Sequence, residues 1–225
     1  LKLRLEPAVE VSHDPPAMKA LHVVLPILLL ASPLGLLLPA LPAAAADESP
    51  SSLFNGRDLS GWKAPASNVI WRVADGMLIG QSDEKRSGSM LYTERSYSNF
   101  VFETEVRWQG DCDSGVMFRK PELQLQLGVS RSLKTEMTCC FYTGGKDLYP
   151  QAGRAKELEK HLKPGDWNRI RLEVIGATYT VWLNGVQVTQ FTEPKYANPG
   201  PIGLQVHAGV TMRVEFRNLR VKELP

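Results

Sequence analysis

The chain has 225 residues, with 26 basic side chains against 24 acidic ones and a formal net charge of +2. A balance that close argues against a nucleic-acid partner, which would show as a clustered basic face. Hydrophobic residues make up 43% of the sequence, and Gly and Pro recur at short intervals. That composition excludes a disordered chain and suits a globular β-rich one.

Residues 1–17 show no hydrophobic periodicity and precede Met18. They read as an upstream extension, with Met18 as the initiator or with the whole stretch as a long leader start. Residues 18–46 read as a secretory signal. Lys19 is the positive start, Leu21 to Leu41 is apolar, and Ala43 to Ala46 supplies small residues for cleavage before Ala46 or Asp47. The alternative is a membrane anchor, since the apolar run is about long enough to span a bilayer. Pro26, Pro33, Pro39 and Pro42 interrupt it and no basic cluster follows, so the expectation is export to the periplasm or beyond, with no stable membrane span after cleavage. Residues 47–52 read as a flexible linker and 53–225 as one folded domain.

In that domain the expected strands begin with Ile70–Val73, Met77–Gly80 and Ser89–Thr93. From Asn99 to Trp108 the residues Phe100, Phe102, Thr104, Val106 and Trp108 share one face, opposite Val101, Glu103, Glu105 and Arg107. A period of two marks a half-buried strand. Ser114–Arg119 and Glu122–Val129 follow. Only Ala155 to Leu162 has helical character, for two turns at most. Asp166–Ile175 alternates again. Tyr179–Leu183 and Val186–Val188 flank Asn184-Gly185, a pair that tolerates the positive φ values of a type I′ hairpin turn. Pro201–His207 precedes a last strand within Thr211–Leu224. There the apolar phase slips from Met212, Val214 and Phe216 to Leu219 and Val221, which predicts a β-bulge near Asn218. Many short strands without a βαβ rhythm predict an all-β, two-sheet antiparallel sandwich or jelly roll.

The candidate chemistry starts at Glu122-Leu123-Gln124-Leu125-Gln126-Leu127. Alternation puts the three leucines in the core and Glu122, Gln124 and Gln126 on the other face. A row of amides and a carboxylate suits sugar hydroxyls, because such groups orient and discriminate them. A plain solvated strand face fits the pattern equally well. His207 ends a predicted strand beside Ala208-Gly209, where an imidazole can enter a cleft or serve as a structural histidine. Asp111 to Gly115 is a polar loop that reads as a turn, with a calcium site as the alternative. Cys112, Cys139 and Cys140 are an odd number without zinc spacing; a single bridge from Cys112 to Cys139 or Cys140 is expected if any forms, and buried thiols otherwise. The strand lacks the two carboxylates of an ordinary glycosidase. No nucleophile elbow or phosphate loop appears in a supporting context.

Several segments in order carry a resemblance. They are Leu53 to Trp62 (LFNGRDLSGW), Trp71 to Leu78 (WRVADGML), Phe100 to Glu103, Ser114 to Arg119 (SGVMFR), Gly165 to Asn168 (GDWN), Val181 to Gly185, Ile202 to Gln205 and Phe216 to Leu219. The set resembles the 3-keto-disaccharide hydrolase family. That resemblance implies a concanavalin A-like sandwich and sugar chemistry outside the cytoplasm. The family's Tyr-Glu-x-Gln-x-x-Asp strand matches at Glu122 and Gln124, with Pro121 at the tyrosine position and Leu127 in place of the aspartate. Its Gln-Asp-His-Gly-Gly motif appears as Gln205-Val206-His207-Ala208-Gly209.

The implied reaction is removal of the C2 proton of a 3-keto-glycoside, elimination of the glycosidic oxygen, and hydration. It needs a base, an acid and a group to stabilise the enolate. Glu122 or His207 is expected as base or acid, Arg119 as enolate stabiliser, and Gln124 and Gln126 as sugar-binding groups. A divalent metal held by Glu122 and His207 is an alternative to the arginine. The competing expectations are a carbohydrate-binding module, with Tyr142, Trp62 or Trp71 stacking on sugar, and a cell-surface scaffold. Core packing is the expected role of both tryptophans.

Overall fold

The structure, a computed structural model, describes residues 49–225. The expected extension and signal lie outside the described residues. Fifteen strands run in order: β1 (Ser51–Ser52), β2 (Trp62–Lys63), β3 (Trp71–Ala74), β4 (Met77–Gln81), β5 (Ser89–Tyr97), β6 (Phe100–Gln109), β7 (Asp113–Phe118), β8 (Leu123–Ser130), β9 (Thr135–Glu136), β10 (Phe141–Tyr142), β11 (Asn168–Ile175), β12 (Thr178–Leu183), β13 (Val186–Thr192), β14 (Gly200–Val206) and β15 (Arg213–Glu223). They form two sheets. One has eight strands in the order β13-β12-β11-β6-β15-β4-β3, with β1 on β15. The other has seven, in the order β10-β8-β7-β14-β5-β2, with β9 on β8. A single hydrophobic cluster takes residues from both, among them Phe102, Leu172 and Phe216 of the first and Leu91, Val116, Leu125 and Leu204 of the second. The all-β sandwich expected from the strand pattern is the observed fold.

Alternation explains the layers. In β6, Phe100, Phe102, Thr104, Val106 and Trp108 are buried and the intervening residues are not. Thr104 is tolerated on that face because its hydroxyl donates to Arg217 O at 3.2 Å. That carbonyl lies at the bulge: the pairing of β15 with β6 shifts between Arg217 and Arg220, and Asn218 has φ 54°. The slip in apolar phase is therefore a real irregularity that keeps Phe216 and Leu219 both inside. The hairpin is also as expected, with φ 52° at Asn184, 92° at Gly185 and Leu183 paired to Val186.

Five segments differ from expectation. Ser51 and Ser52, expected in the linker, pair with Val221 and Arg220 and close the edge of β15. The helical segment shrinks to α1 (Leu158–His161), because Glu157 before it adopts φ 50° and stops the helix from extending backward. Strands β2, β9 and β10, of two residues each, are too short to show a period. Of the two states expected for the cysteines, the unbridged one is observed. Cys112, Cys139 and Cys140 are free buried thiols, and burial raises the pKa of each.

Two of the sequence motifs have local structural roles. Asn55 accepts from the backbone N–H groups of Arg57 and Asp58 and donates to Asp58 Oδ1 at 2.8 Å, while Ser60 N donates to the same carboxylate. With the Ser60 hydroxyl as the largest contributor, these bonds hold Asp58 down to a pKa of about 2. Asn168 is buried and ties the preceding turn together. Its Oδ1 accepts from Lys163 N at 2.9 Å, and its Nδ2 donates to Lys163 O and Asp166 O.

Candidate active site

Register places the candidate residues. Leu123, Leu125 and Leu127 are fully buried in the core. Gln124 and Gln126 therefore occupy the outer face of the seven-stranded sheet. Across it, Gln124 pairs with Met117, Met117 with Gly203, Gly203 with Tyr92, and Tyr92 with Lys63. The next row is Gln126, Gly115, Gln205 and Met90. On the other side Tyr142 pairs with Gln124.

The two glycines make this face receptive to long polar side chains. A Cβ at Gly115 would lie 2.6 Å from Gln124 Nε2, and one at Gly203 would lie 2.6 Å from the Tyr92 ring. Gln124 and Tyr92 thus lie flat across positions where any side chain would expel them. A chain of bonds runs through the middle. Gln126 Nε2 donates to Asp113 Oδ1 at 2.8 Å, and Gln124 Nε2 donates to Gln126 Oε1 at 2.6 Å. Gln124 Nε2 also lies 3.4 Å from Gln205 Oε1. Tyr149 OH donates to Gln126 Oε1 at 3.1 Å, and burial is the main reason its phenol is pushed up to about 12. Asp113 Oδ2 accepts from Arg131 N at 3.0 Å. Gln126, expected to bind sugar, is buried under these neighbours and orders Gln124 instead of meeting a ligand itself.

Charged groups stand at the two ends of this row. At one end Tyr92 OH donates to Glu122 Oε1 at 2.7 Å. Burial first, then the bond to Glu122, raises the Tyr92 pKa, so the phenol remains a donor at neutral pH. At the other end His207 Nδ1 is 2.7 Å from Ala208 O. A carbonyl only accepts, so Nδ1 carries a proton and Nε2 is the ring nitrogen left to face a ligand. Arg131 Nη1 donates to the same carbonyl at 2.7 Å.

Glu122 and His207 do not converge. Val206 pairs with Ser114 and Ser114 with Leu127, so one further step sets His207 level with Gly128. That is six residues along the strand direction from Glu122, or roughly 20 Å at ~3.3 Å per residue. The two cannot share one metal ion. Among the described residues no group of three or more His, Cys, Asp or Glu side chains is placed to hold one.

Arg119, expected beside them, is turned the other way. Its φ of 73° ends β7, and its side chain is 1% exposed. Its Nη2 donates to Gly176 O at 2.7 Å, in the turn between β11 and β12 of the opposite sheet. Interior burial lowers its pKa. Arg131 is the cation that reaches the His207 end instead. Tyr142 is half-buried against Tyr149, with ring centroids 5.2 Å apart. Trp62 and Trp71 are core residues, as expected.

Sequence reasoning missed Tyr92, Arg131, Tyr149 and Gln205 as members of the site, and it read Asp113 as part of a turn or calcium loop, whereas Asp113 to Gly115 are buried residues of β7. Only Gln205 had a local signal, since it lies two residues before His207 and in phase with it. The others arrive from separate strands and loops.

A cleft of about 820 Å³ opens on the eight-stranded sheet beside Asn55, Met77, Arg107, Trp167, Arg217 and Arg220. Its central guanidiniums are already engaged. Arg107 and Arg217 flank the Trp167 ring at 4.7 and 4.1 Å and pair with Glu215 and Glu105. The amide face, with its unfilled hydrogen-bonding groups, is the better candidate.

Comparison with known proteins agrees with the fold. A candidate glycosyl hydrolase from Parabacteroides distasonis is 21% identical and superposes with a TM-score of 0.60, over 79% of this chain and all of that one. A second from the same organism, also 21% identical, gives 0.58 over 77% and 93%. A non-specific endo-β-1,3(4)-glucanase of family GH16 gives 0.52 at 11% identity, over 77% and 86%. These likenesses establish the sandwich alone. No curated protein matches the chain. The family comparison reaches further, because it spans residues 49–222, nearly the whole described domain: the chain belongs to the 3-keto-alpha-glucoside-1,2-lyase-like domain family.

Proposed function

We propose that the domain is an exported carbohydrate-active enzyme that cleaves glycosides of 3-keto sugars on the outer face of the seven-stranded sheet. The observation that carries this reading is the His207 ring. Its Nδ1–H is spent on Ala208 O, so Nε2 is left as a base two residues from Gln205 along the strand. The ketone at C3 acidifies the C2 hydrogen. His207 Nε2 takes it as a proton, the electron pair forms the C1=C2 bond, and the glycosidic oxygen leaves C1 with a proton returned from the imidazolium or water. Water then adds across C1=C2, restoring hydrogen at C2 and placing hydroxyl at C1. Arg131 supplies positive charge near the enolate, and Gln124 and Gln205 hold the polar groups of the sugar ring. Glu122, held by Tyr92, binds hydroxyls at the far end of the row. Export rests on the reading of residues 18–46 as a secretory signal. Among the described residues, no helix is long and apolar enough to cross a membrane.

Turnover of a 3-keto-disaccharide, against the unoxidised disaccharide and with and without chelator, tests this. His207→Ala is expected to cost about 10²–10⁴-fold in kcat, the range for general acid–base catalysis. Glu122→Gln is expected to raise KM with a smaller effect on kcat. The separation of Glu122 from His207 favours one second reading, a carbohydrate-binding module. Saturable sugar binding by an inert wild-type protein would establish it, and full activity in His207→Ala would remove His207 from the mechanism.

A further inference from the structure

Asp113 is 5% exposed, and the groups around it leave its hydrogen bonding no freedom. Oδ2 accepts from Arg131 N, a backbone donor that cannot be anything else. Oδ1 faces the Gln126 amide, so Gln126 must turn its Nε2 inward and its Oε1 toward Gln124. Gln124 in turn gives Nε2 to Gln126 Oε1 at 2.6 Å and, over a longer 3.4 Å, to Gln205 Oε1 and to the Ser114 carbonyl, which favours the same orientation. Each amide has one accepting and one donating end, so the choice made at Asp113 passes along the chain. It leaves Gln124 Oε1 and Gln205 Nε2 without a partner among the described residues. Both residues are half-buried. Among the described residues the buried unpaired polar atoms are confined to Arg119, so both of these atoms reach solvent.

We infer that Asp113, acting through Gln126, is a positioning residue that sets which sugar groups this face accepts: a hydroxyl donor at Gln124 Oε1 and an acceptor-only carbonyl at Gln205 Nε2. An α-hydroxyketone carries that pair on adjacent carbons. A hydroxyl can rotate to suit either polarity, whereas a ketone cannot, so the polarity matters chiefly for the oxidised sugar. This rests on the reading of the face as the sugar site.

The chain makes a reversal experiment available. In Asp113→Asn the introduced amide oxygen must still accept from Arg131 N, so the amide nitrogen faces Gln126. Gln126, Gln124 and Gln205 then flip in sequence, the 2.8 and 2.6 Å bonds of the chain outweighing the 3.4 Å contacts to the Leu127 and Ser114 carbonyls that the flip gives up, and Gln205 presents Oε1 to the ligand. Adding Gln126→Glu restores the original order, because the introduced carboxylate accepts both from the new amide at position 113 and from Gln124. Calorimetric Kd values for methyl 3-keto-α-glucoside and for methyl α-glucoside are measured in a His207→Ala background, so that the keto sugar is not consumed. Asp113→Asn is expected to weaken the keto sugar by about tenfold or more and the parent glucoside by less than about twofold. The double variant is expected to regain the keto preference, which a merely structural role for Asp113 would not predict. Unchanged preference in Asp113→Asn overturns the inference. So does a folded double variant that fails to recover. Should circular dichroism show that Asp113→Asn is unfolded, Gln205→Glu decides: it offers only acceptors, and retention of the keto preference there overturns the inference as well. Binding of neither sugar by the parent protein overturns the site reading itself, which is a separate outcome.

Discussion

Asn168 shows how one side chain can hold a turn. Besides its three bonds to Lys163 and Asp166, its Oδ1 accepts from Asn184 Nδ2 at 3.0 Å, so it joins the turn before β11 to the β12–β13 hairpin. Asn168→Ala removes four hydrogen bonds made by one buried side chain and is expected to destabilise by about 2–3 kcal/mol, read from the denaturant midpoint. Arg119 is the opposite case. Its Nε and Nη1 are buried without partners and only one of its donors is used. A buried charge without compensation opposes folding. Arg119→Met is expected to leave the unfolding midpoint unchanged or higher and turnover intact. A large loss of either would return Arg119 to the functional site.

The β12–β13 hairpin depends on backbone conformation more than on contacts. A Cβ at Gly185 would meet nothing within 4 Å, yet its φ is 92°. Gly185→Ala is therefore expected to cost about 1 kcal/mol from backbone strain alone, seen as a lowered midpoint with unchanged m-value. The β7–β14 pair is built differently. There Gly203 has ordinary φ but close neighbours, so Gly203→Ala is expected to displace the Tyr92 ring and raise KM by loosening Glu122. Retention of the wild-type KM would show that the Tyr92–Glu122 pair does not touch the substrate.

The two outer faces of the sandwich carry different chemistry. The eight-stranded sheet is covered by paired charges, with Glu215 at the centre. It is 5% exposed and accepts from Arg107 Nε at 2.5 Å and Arg213 Nε at 2.7 Å. Burial opposes ionisation of Glu215, but the two guanidiniums outweigh it and lower its pKa below 4.5. A lowered folded pKa means that the contribution is complete above the unfolded value and is lost as pH falls through the folded one. The melting temperature is expected to drop below about pH 4.5, with a shallower slope in Glu215→Gln from a lower starting stability. An identical slope in the variant would assign the acid transition to other carboxylates. The seven-stranded sheet has its amides in a row with outward groups unfilled, which suits a ligand more than a stabilising lattice.

Properties encoded over a few neighbouring residues were legible in the sequence. The period of two in β6, the Asn184-Gly185 turn, the phase slip at Asn218 and the leucine face of β8 depend only on backbone geometry and alternation, so the sandwich followed from them. The ordered motifs identified the family for the same reason, being contiguous. The site was legible only in part. Gln124 and Gln126 could be assigned to the outer face from their own strand, but Tyr92, Asp113, Gln205 and Arg131 reach it from four other segments. Strand order and register brought them together, and no local pattern records either. The positive φ at Arg119 likewise turned a residue three positions from Glu122 into the core. Glu122 and His207 were separated by register alone: each sits on the expected face, and the antiparallel pairing of β14, β7 and β8 sets them at opposite ends of it.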